Sequence, residues 1–247
     1  IGVNVRDLQK TLAFYSEHLG AKFVRGLYIP ASHTIAAYVQ IGTQMIEFLS
    51  PLSPSESAVY GIAHIAYTVD HIEEAARILE DAEAVLAKDP ISQYDFDLGV
   101  AAFQKAYTRF CNNQNAGTAT DVIEIDHASI YANDLQAGID FYTKDMEMEM
   151  LQNYHFEDRK FDMVYMNTGK NILELLHNET PHEGPLMGHI AFRVKDTKAL
   201  AEKLAAQGVE VTTQPRLLAT QNGYVCNIKD PDGIALEFID RVSLFEV

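Results

Sequence analysis

The chain has 247 residues, 47% apolar and 22% charged, with a formal net charge of −16, enough for one large domain or two of ordinary size. That acidic balance argues against a general nucleic-acid binder, which needs a basic footprint. No run of about 18 apolar residues reads as a membrane span.

Cys111 and Cys226 make no spacing motif, so no disulfide framework is expected and a reducing, cytoplasmic setting is the default. No secretory signal is visible, and a chain beginning at Ile1 rather than Met is expected to be part of a longer translation product.

The first element in chain order is a helix after Asp7, in VRDLQKTLAFYSEHLG (5–20). An apolar strand with a central glutamate follows, MIEFL (45–49), and then HIAYTV (64–69), a strand opened by His64. DHIEEAARILEDAEAVLAK (70–88) reads as a helix. The stretch 88–121 is longer than its counterparts elsewhere and is expected in a loop, as a lid or an edge. VIEID (122–126) closes the first half.

The same succession then returns. His127 opens a strand, Asp134 caps a helix, and ILELL (172–176) carries Glu174. His189 opens HIAFRV (189–194), and TKALAEKLAAQG (197–208) is a helix with Thr197 as cap and Gly208 as stop. Asp230-Pro231-Asp232-Gly233 is a turn, and ALEFID (235–240) is the last strand.

This return is a duplication. Asp7, Leu8, Gln9, Phe14 and Tyr15 recur 127 residues later as Asp134, Leu135, Gln136, Phe141 and Tyr142, and Glu47 recurs as Glu174 at the same offset. His64 recurs as His189, and Glu124 matches Glu237. The expected architecture is α+β, with two tandem domains (1–125 and 126–247). Each consists of two βαβββ modules, about 1–55 and 60–125, then 126–180 and 187–247. The paired modules are expected to form a curved, partly open β-barrel around a central site.

The glutamates carry the functional signal. In NILELL both strand faces are apolar, so Glu174 has no solvent side to occupy. Burying an unpaired carboxylate is costly, and no lysine or arginine recurs in register to offset it. Histidine does recur, as His64, His127 and His189, beside small same-face residues Ala66, Ser129 and Ala191. A lone histidine on an apolar strand is more often a core residue. Three histidines and four glutamates in register read instead as a nitrogen/oxygen site for a divalent metal.

With these residues the chain resembles the vicinal-oxygen-chelate superfamily, which includes glyoxalase I, methylmalonyl-CoA epimerase and extradiol dioxygenases. The matching features are His127 seven before Asp134, DLxxxIxFY, Glu174 in ILELL, GHIAFRV, and DPDGxxLEF before Asp240. The resemblance implies a metal site of His127, Glu174, His189 and Glu237 in the second domain. For the first it implies Glu47, His64 and Glu124, together with a position just before Ile1. Ligands drawn from one domain are preferred over a swap that joins His64 and Glu124 to His127 and Glu174. On one continuous strand Glu124 and His127 would face opposite ways unless the chain kinks between them.

Four protein ligands on a six-coordinate nickel, cobalt, manganese, zinc or iron ion leave two positions for adjacent oxygens of a small-molecule substrate. The resemblance to glyoxalase I implies a lyase or isomerase that moves a proton through a chelated enediolate, with Glu237 as base and Glu174 opposite. Asn178 aligns with a thiol-contacting asparagine, whereas Tyr131 and Pro185 stand where that family places glutathione-binding arginines. The alternatives are an extradiol-type dioxygenase with non-haem iron and a metal-free, ligand-sequestering protein of the bleomycin-resistance type. No nucleic-acid or membrane partner is expected, and the chain is expected as a monomer or homodimer.

Overall fold

The computed structural model describes residues 1–53, 58–66, 121–169, 171–218, 221–242 and 244. The helix expected over 70–88, the stretch expected over 88–121 except Asp121, and Cys111 lie outside them.

Asp7 starts the first helix, α1 (Leu8–Leu19). Its carboxylate accepts the backbone N–H groups of Gln9 and Lys10, donors that a helix start leaves unpaired, and Gly20 ends the helix at φ 67°. Strand β1 (Gly2–Asn4) precedes α1, and β2 (Lys22–Ile29), β3 (Thr34–Ile41), β4 (Gln44–Pro51) and β5 (Gly61–His64) follow it. They form one sheet in the order β2-β3-β4-β1-β5, with β1 parallel to β4 and antiparallel to β5.

The second half uses the same plan twice. Its strands are β6 (Val122–Tyr131), β7 (Glu149–Phe156), β8 (Phe161–Asn167), β9 (Ile172–Asn178), β10 (Met187–Val194), β11 (Val211–Leu218), β12 (Gly223–Lys229) and β13 (Ala235–Ile239). Helix α2 (Leu135–Asp140) is capped by Asp134 and runs on as a π-helical turn over Phe141–Asp145. Helix α3 (Thr197–Ala206) packs on β11 and β12. The sheet order is β11-β12-β13-β10-β6-β9-β8-β7. Each module pairs its first strand in parallel with its last, β6 with β9 and β10 with β13, and the modules meet where β10 and β6 run antiparallel. The sheet curls into a half-barrel, and the chain consists of two tandem halves of this type.

Two local expectations are corrected. The cap of α3 is Asp196, whose extended backbone lets its carboxylate accept the Ala199 N–H. Thr197 is already helical; its N–H goes to Asp240 and its hydroxyl to the Tyr224 carbonyl. The histidines do not open their strands. His64 ends β5, His127 is an interior residue of β6, and His189 is the third residue of β10. VIEID and the segment from His127 run together as one ten-residue strand, so the junction between the repeats falls inside β6.

A buried cluster joins the halves. Val3, Leu12, Tyr15 and Phe48 of the first pack in one core with Ile190, Phe192, Leu204 and Phe238 of the second. The Asp230–Gly233 turn contributes to this seam. Tyr15 Oη donates to Asp230 Oδ2 at 3.2 Å, and Thr11 Oγ1 donates to Asp232 Oδ2 at 2.9 Å. Among the described residues no helix is long and apolar enough to cross a membrane.

Candidate metal centre

Four adjacent strands, β13, β10, β6 and β9, each send one side chain to a common point: Glu237, His189, His127 and Glu174 in that order. His127 Nε2 lies 3.0 Å from His189 Nε2. Glu174 Oε2 is 3.4 Å from His127 Nε2 and 3.5 Å from His189 Nε2. Glu237 Oε1 is 3.8 Å and 3.9 Å from the same two atoms. Donors bound at about 2.1 Å to one ion stand roughly 3 Å apart or slightly more, so the three inner groups have the spacing of a shared ligand set. His127, Glu174 and His189 are also the described residues whose donor atoms cluster closely enough for an ion.

Burial makes the set chemically demanding. His127 is 1% exposed and Glu174 3%. Glu174 Oε2 has no hydrogen-bond partner of acceptable geometry, and an ionised oxygen in that position needs a cation or a proton. Burial drives the His127 pKa down, but the charge of Glu174 and the hydrogen bond to Asp126 outweigh it and hold the imidazole well above its ordinary value. Burial likewise works to raise the Glu174 pKa, and the charge and hydrogen bond of His127 are the main influences that outweigh it, so the carboxyl is held below the usual range. This donor set fits a divalent metal.

Each imidazole is oriented from behind. Asp126 Oδ1 lies 2.8 Å from His127 Nδ1, and Ser129 Oγ lies 2.7 Å from His189 Nδ1. The Ser129 hydroxyl also accepts the His189 N–H at 2.7 Å. A Cβ at Gly188 would stand 2.4 Å from that hydroxyl, so the close approach requires glycine there. Glu237 and His189, 15% and 16% exposed in their side chains, are the open side of the cluster.

Tyr165 is a component that sequence reasoning missed. It is the cross-strand partner of Glu174, is buried, and shares a hydrogen bond with that carboxylate, while its hydroxyl accepts Gln221 Nε2 at 2.8 Å. The signal was available, because Tyr38 and Tyr165 are 127 residues apart, the same offset as Glu47 and Glu174. Tyr38 is the cross-strand partner of Glu47 and donates to its Oε1.

In the first half Glu47 Oε2 comes within 3.2 Å of His64 Nε2, whose side chain is 45% exposed. The imidazole lies against Gly2, where a Cβ would overlap the ring. Glu124 does not join this pair. Its carboxylate accepts Arg193 Nε at 2.9 Å and Nη2 at 2.6 Å across the β6–β10 ladder, an arginine partner that repeat positions could not show. A cavity of about 750 Å³ borders Glu47, His64 and His127. Asn178 ends β9, four residues beyond Glu174 and so roughly 13 Å along the strand. Tyr131 is stacked on His182, with ring centroids 3.8 Å apart.

A family model described as the Glyoxalase/Bleomycin resistance protein/Dioxygenase superfamily matches residues 1–104 and 124–238. A probable chloroplastic lactoylglutathione lyase of Arabidopsis thaliana is 23% identical over 98% of this chain and 72% of its own length. A probable lactoylglutathione lyase of Vibrio cholerae is 29% identical over 47% of this chain and 88% of its own. A mutant 4-hydroxymandelate synthase from Streptomyces coelicolor has a similar fold, with a TM-score of 0.64 at 18% identity, covering 98% of this chain and 91% of that one.

Proposed function

Because the chain belongs to the Glyoxalase/Bleomycin resistance protein/Dioxygenase superfamily, we propose that it is a metal-dependent isomerase or lyase of the glyoxalase I type, acting on a small oxo-compound or its thiol adduct. The observation that carries this reading is the orphaned Glu174 carboxylate oxygen, 3.4 Å and 3.5 Å from two imidazole nitrogens at the centre of a curled sheet. His127, Glu174, His189 and Glu237 would hold the ion, and a divalent metal there would supply Lewis acidity to two adjacent substrate oxygens.

The residues divide the work by burial. Glu174 is enclosed and tied to Tyr165, which suits a fixed ligand. Glu237 stands on the open side and is the farther carboxylate from both histidines, which suits a base that takes a proton from one carbon and returns it to its neighbour. Such a 1,2-shift leaves the oxidation state of the whole substrate unchanged. The related proteins named as lactoylglutathione lyases support a thiol adduct as the substrate class.

Elemental analysis and solvent-deuterium exchange test the proposal together. Wild type is expected to carry a divalent metal and to exchange the substrate C–H proton with solvent. Glu237→Gln should retain much of the metal and lose exchange by a factor of about 100 or more. Wild type that cannot be loaded with metal overturns the reading, and oxygen consumption with a catechol would replace it by a dioxygenase.

A further inference from the structure

Asp126 and His127 are neighbours in the chain, and on a regular strand their side chains would point to opposite faces. They meet because the ladder slips here: Ala191 pairs with His127 and the next residue, Phe192, pairs with Ile125, leaving Asp126 as an extra residue in β6. A bulge of this kind re-aims side chains and is common beside functional sites. It brings Asp126 Oδ1 to 2.8 Å from His127 Nδ1.

Arg241 shares that same carboxylate oxygen. Its Nη2 donates to Asp126 Oδ1, and its guanidinium sits over the Tyr165 ring, 5.0 Å from the centroid. Both members of the pair are buried, with side chains 1% and 3% exposed. Arg241 Nε and Nη1 have no hydrogen-bond partner among the described residues. A buried ion pair with two unsatisfied donor nitrogens is a poor device for stability, since apolar residues in its place are often neutral or stabilising. The pair also has no counterpart at the other histidines: Ala63 precedes His64 and Gly188 precedes His189.

We propose that Asp126, braced by Arg241, is a positioning residue that holds His127 with its proton on Nδ1 and its Nε2 lone pair turned toward Glu174, His189 and Glu237. This makes His127 the more strongly polarised of the two imidazole donors, because His189 has only the Ser129 hydroxyl behind it. Carboxylate–histidine pairing of this type fixes both the tautomer and the ring orientation of a metal ligand. The proposal rests on the metal-centre reading above.

The test is Co²⁺ and Zn²⁺ affinity, measured by chelator competition beside melting temperature, for wild type, Asp126→Ala, Asp126→Asn and the double variant Asp126→Ala/Arg241→Met. Asp126→Ala is expected to bind about 10- to 100-fold more weakly than wild type. The double variant should recover the melting temperature but not the affinity, because it removes the unpaired charge without restoring the His127 partner. Asp126→Asn keeps shape and one acceptor oxygen, so it covers the case in which the alanine variant does not fold; its affinity should lie between the other two. Wild-type affinity in either single variant, or recovery of both properties in the double variant, overturns the positioning role. Absence of binding in wild type itself instead overturns the metal centre, and this proposal with it.

Discussion

His127 Nε2 and His189 Nε2 lie 3.0 Å apart, on antiparallel neighbours β6 and β10 that belong to different modules of the second half. The centre is therefore formed at a seam, and neither module contains it alone. His189→Ala should remove an inner donor and lower the metal content of purified protein well below that of wild type. His64→Ala should leave it unchanged, because among the described residues the first-half pair is Glu47 and His64, while Glu124 is held by Arg193. One metal equivalent per chain of these 247 residues is expected by elemental analysis; two would assign a second site to the first half.

The charges of the centre give the metal-free protein a bounded range of stability. His127 is raised above its ordinary 6.5, so its contribution is fully present below that pH and is lost as pH rises through the higher folded value. Glu174 is lowered from 4.5, so its contribution is present above that pH and is lost as pH falls through the folded value. From this centre alone, chelator-treated protein should be most stable between about 4.5 and 6.5. Metal should extend that range upward, since the ion replaces the His127 proton. Melting temperatures of both forms from pH 4 to 9 check this, and identical alkaline limbs would contradict it.

At the seam between the halves, the carboxyl of Asp230 is shifted the opposite way to that of Glu174, so its contribution, like that of His127, is lost as pH rises. Burial is the main cause that pushes the Asp230 carboxyl up from 3.8 to about 6. The folded state then binds the extra proton between those values, and stability falls as pH rises from about 4 to 6, by about 3 kcal/mol in total. Asp230→Asn keeps an acceptor for the Asp232 and Ile234 N–H groups that Asp230 now serves. The difference between wild-type and variant melting temperatures should therefore change across this window and level off above it. A constant difference would show that Asp230 does not titrate there.

Tyr165 connects Glu174 to Gln221. Tyr165→Phe preserves the ring beside His127 but removes a partner from two buried groups, at a cost of about 1–3 kcal/mol in thermal or denaturant unfolding. Metal binding should weaken several-fold with it, whereas Tyr38→Phe should leave the affinity of the second-half centre as in wild type. An unchanged Tyr165→Phe protein would remove the tyrosine from any role in fixing the carboxylate.

The sequence by itself determined the repeat, the α+β modules and the residues Glu174, His127, His189 and Glu237. Strand periodicity puts a glutamate between apolar neighbours at 174, the repeat offset returns it in register, and the high cost of a buried unpaired carboxylate makes such a position informative without coordinates. Tertiary structure alone decided how the carboxylates are shared out. Glu124 answers to Arg193, 69 residues away across a ladder, and a ladder pairs residues by register, which no spacing along one chain encodes. Asp126 turns to His127 because of one bulge whose position depends on how β10 meets β6. A one-residue slip reverses which face a side chain takes. Local pattern therefore marked the candidate donors, and strand register determined which of them meet.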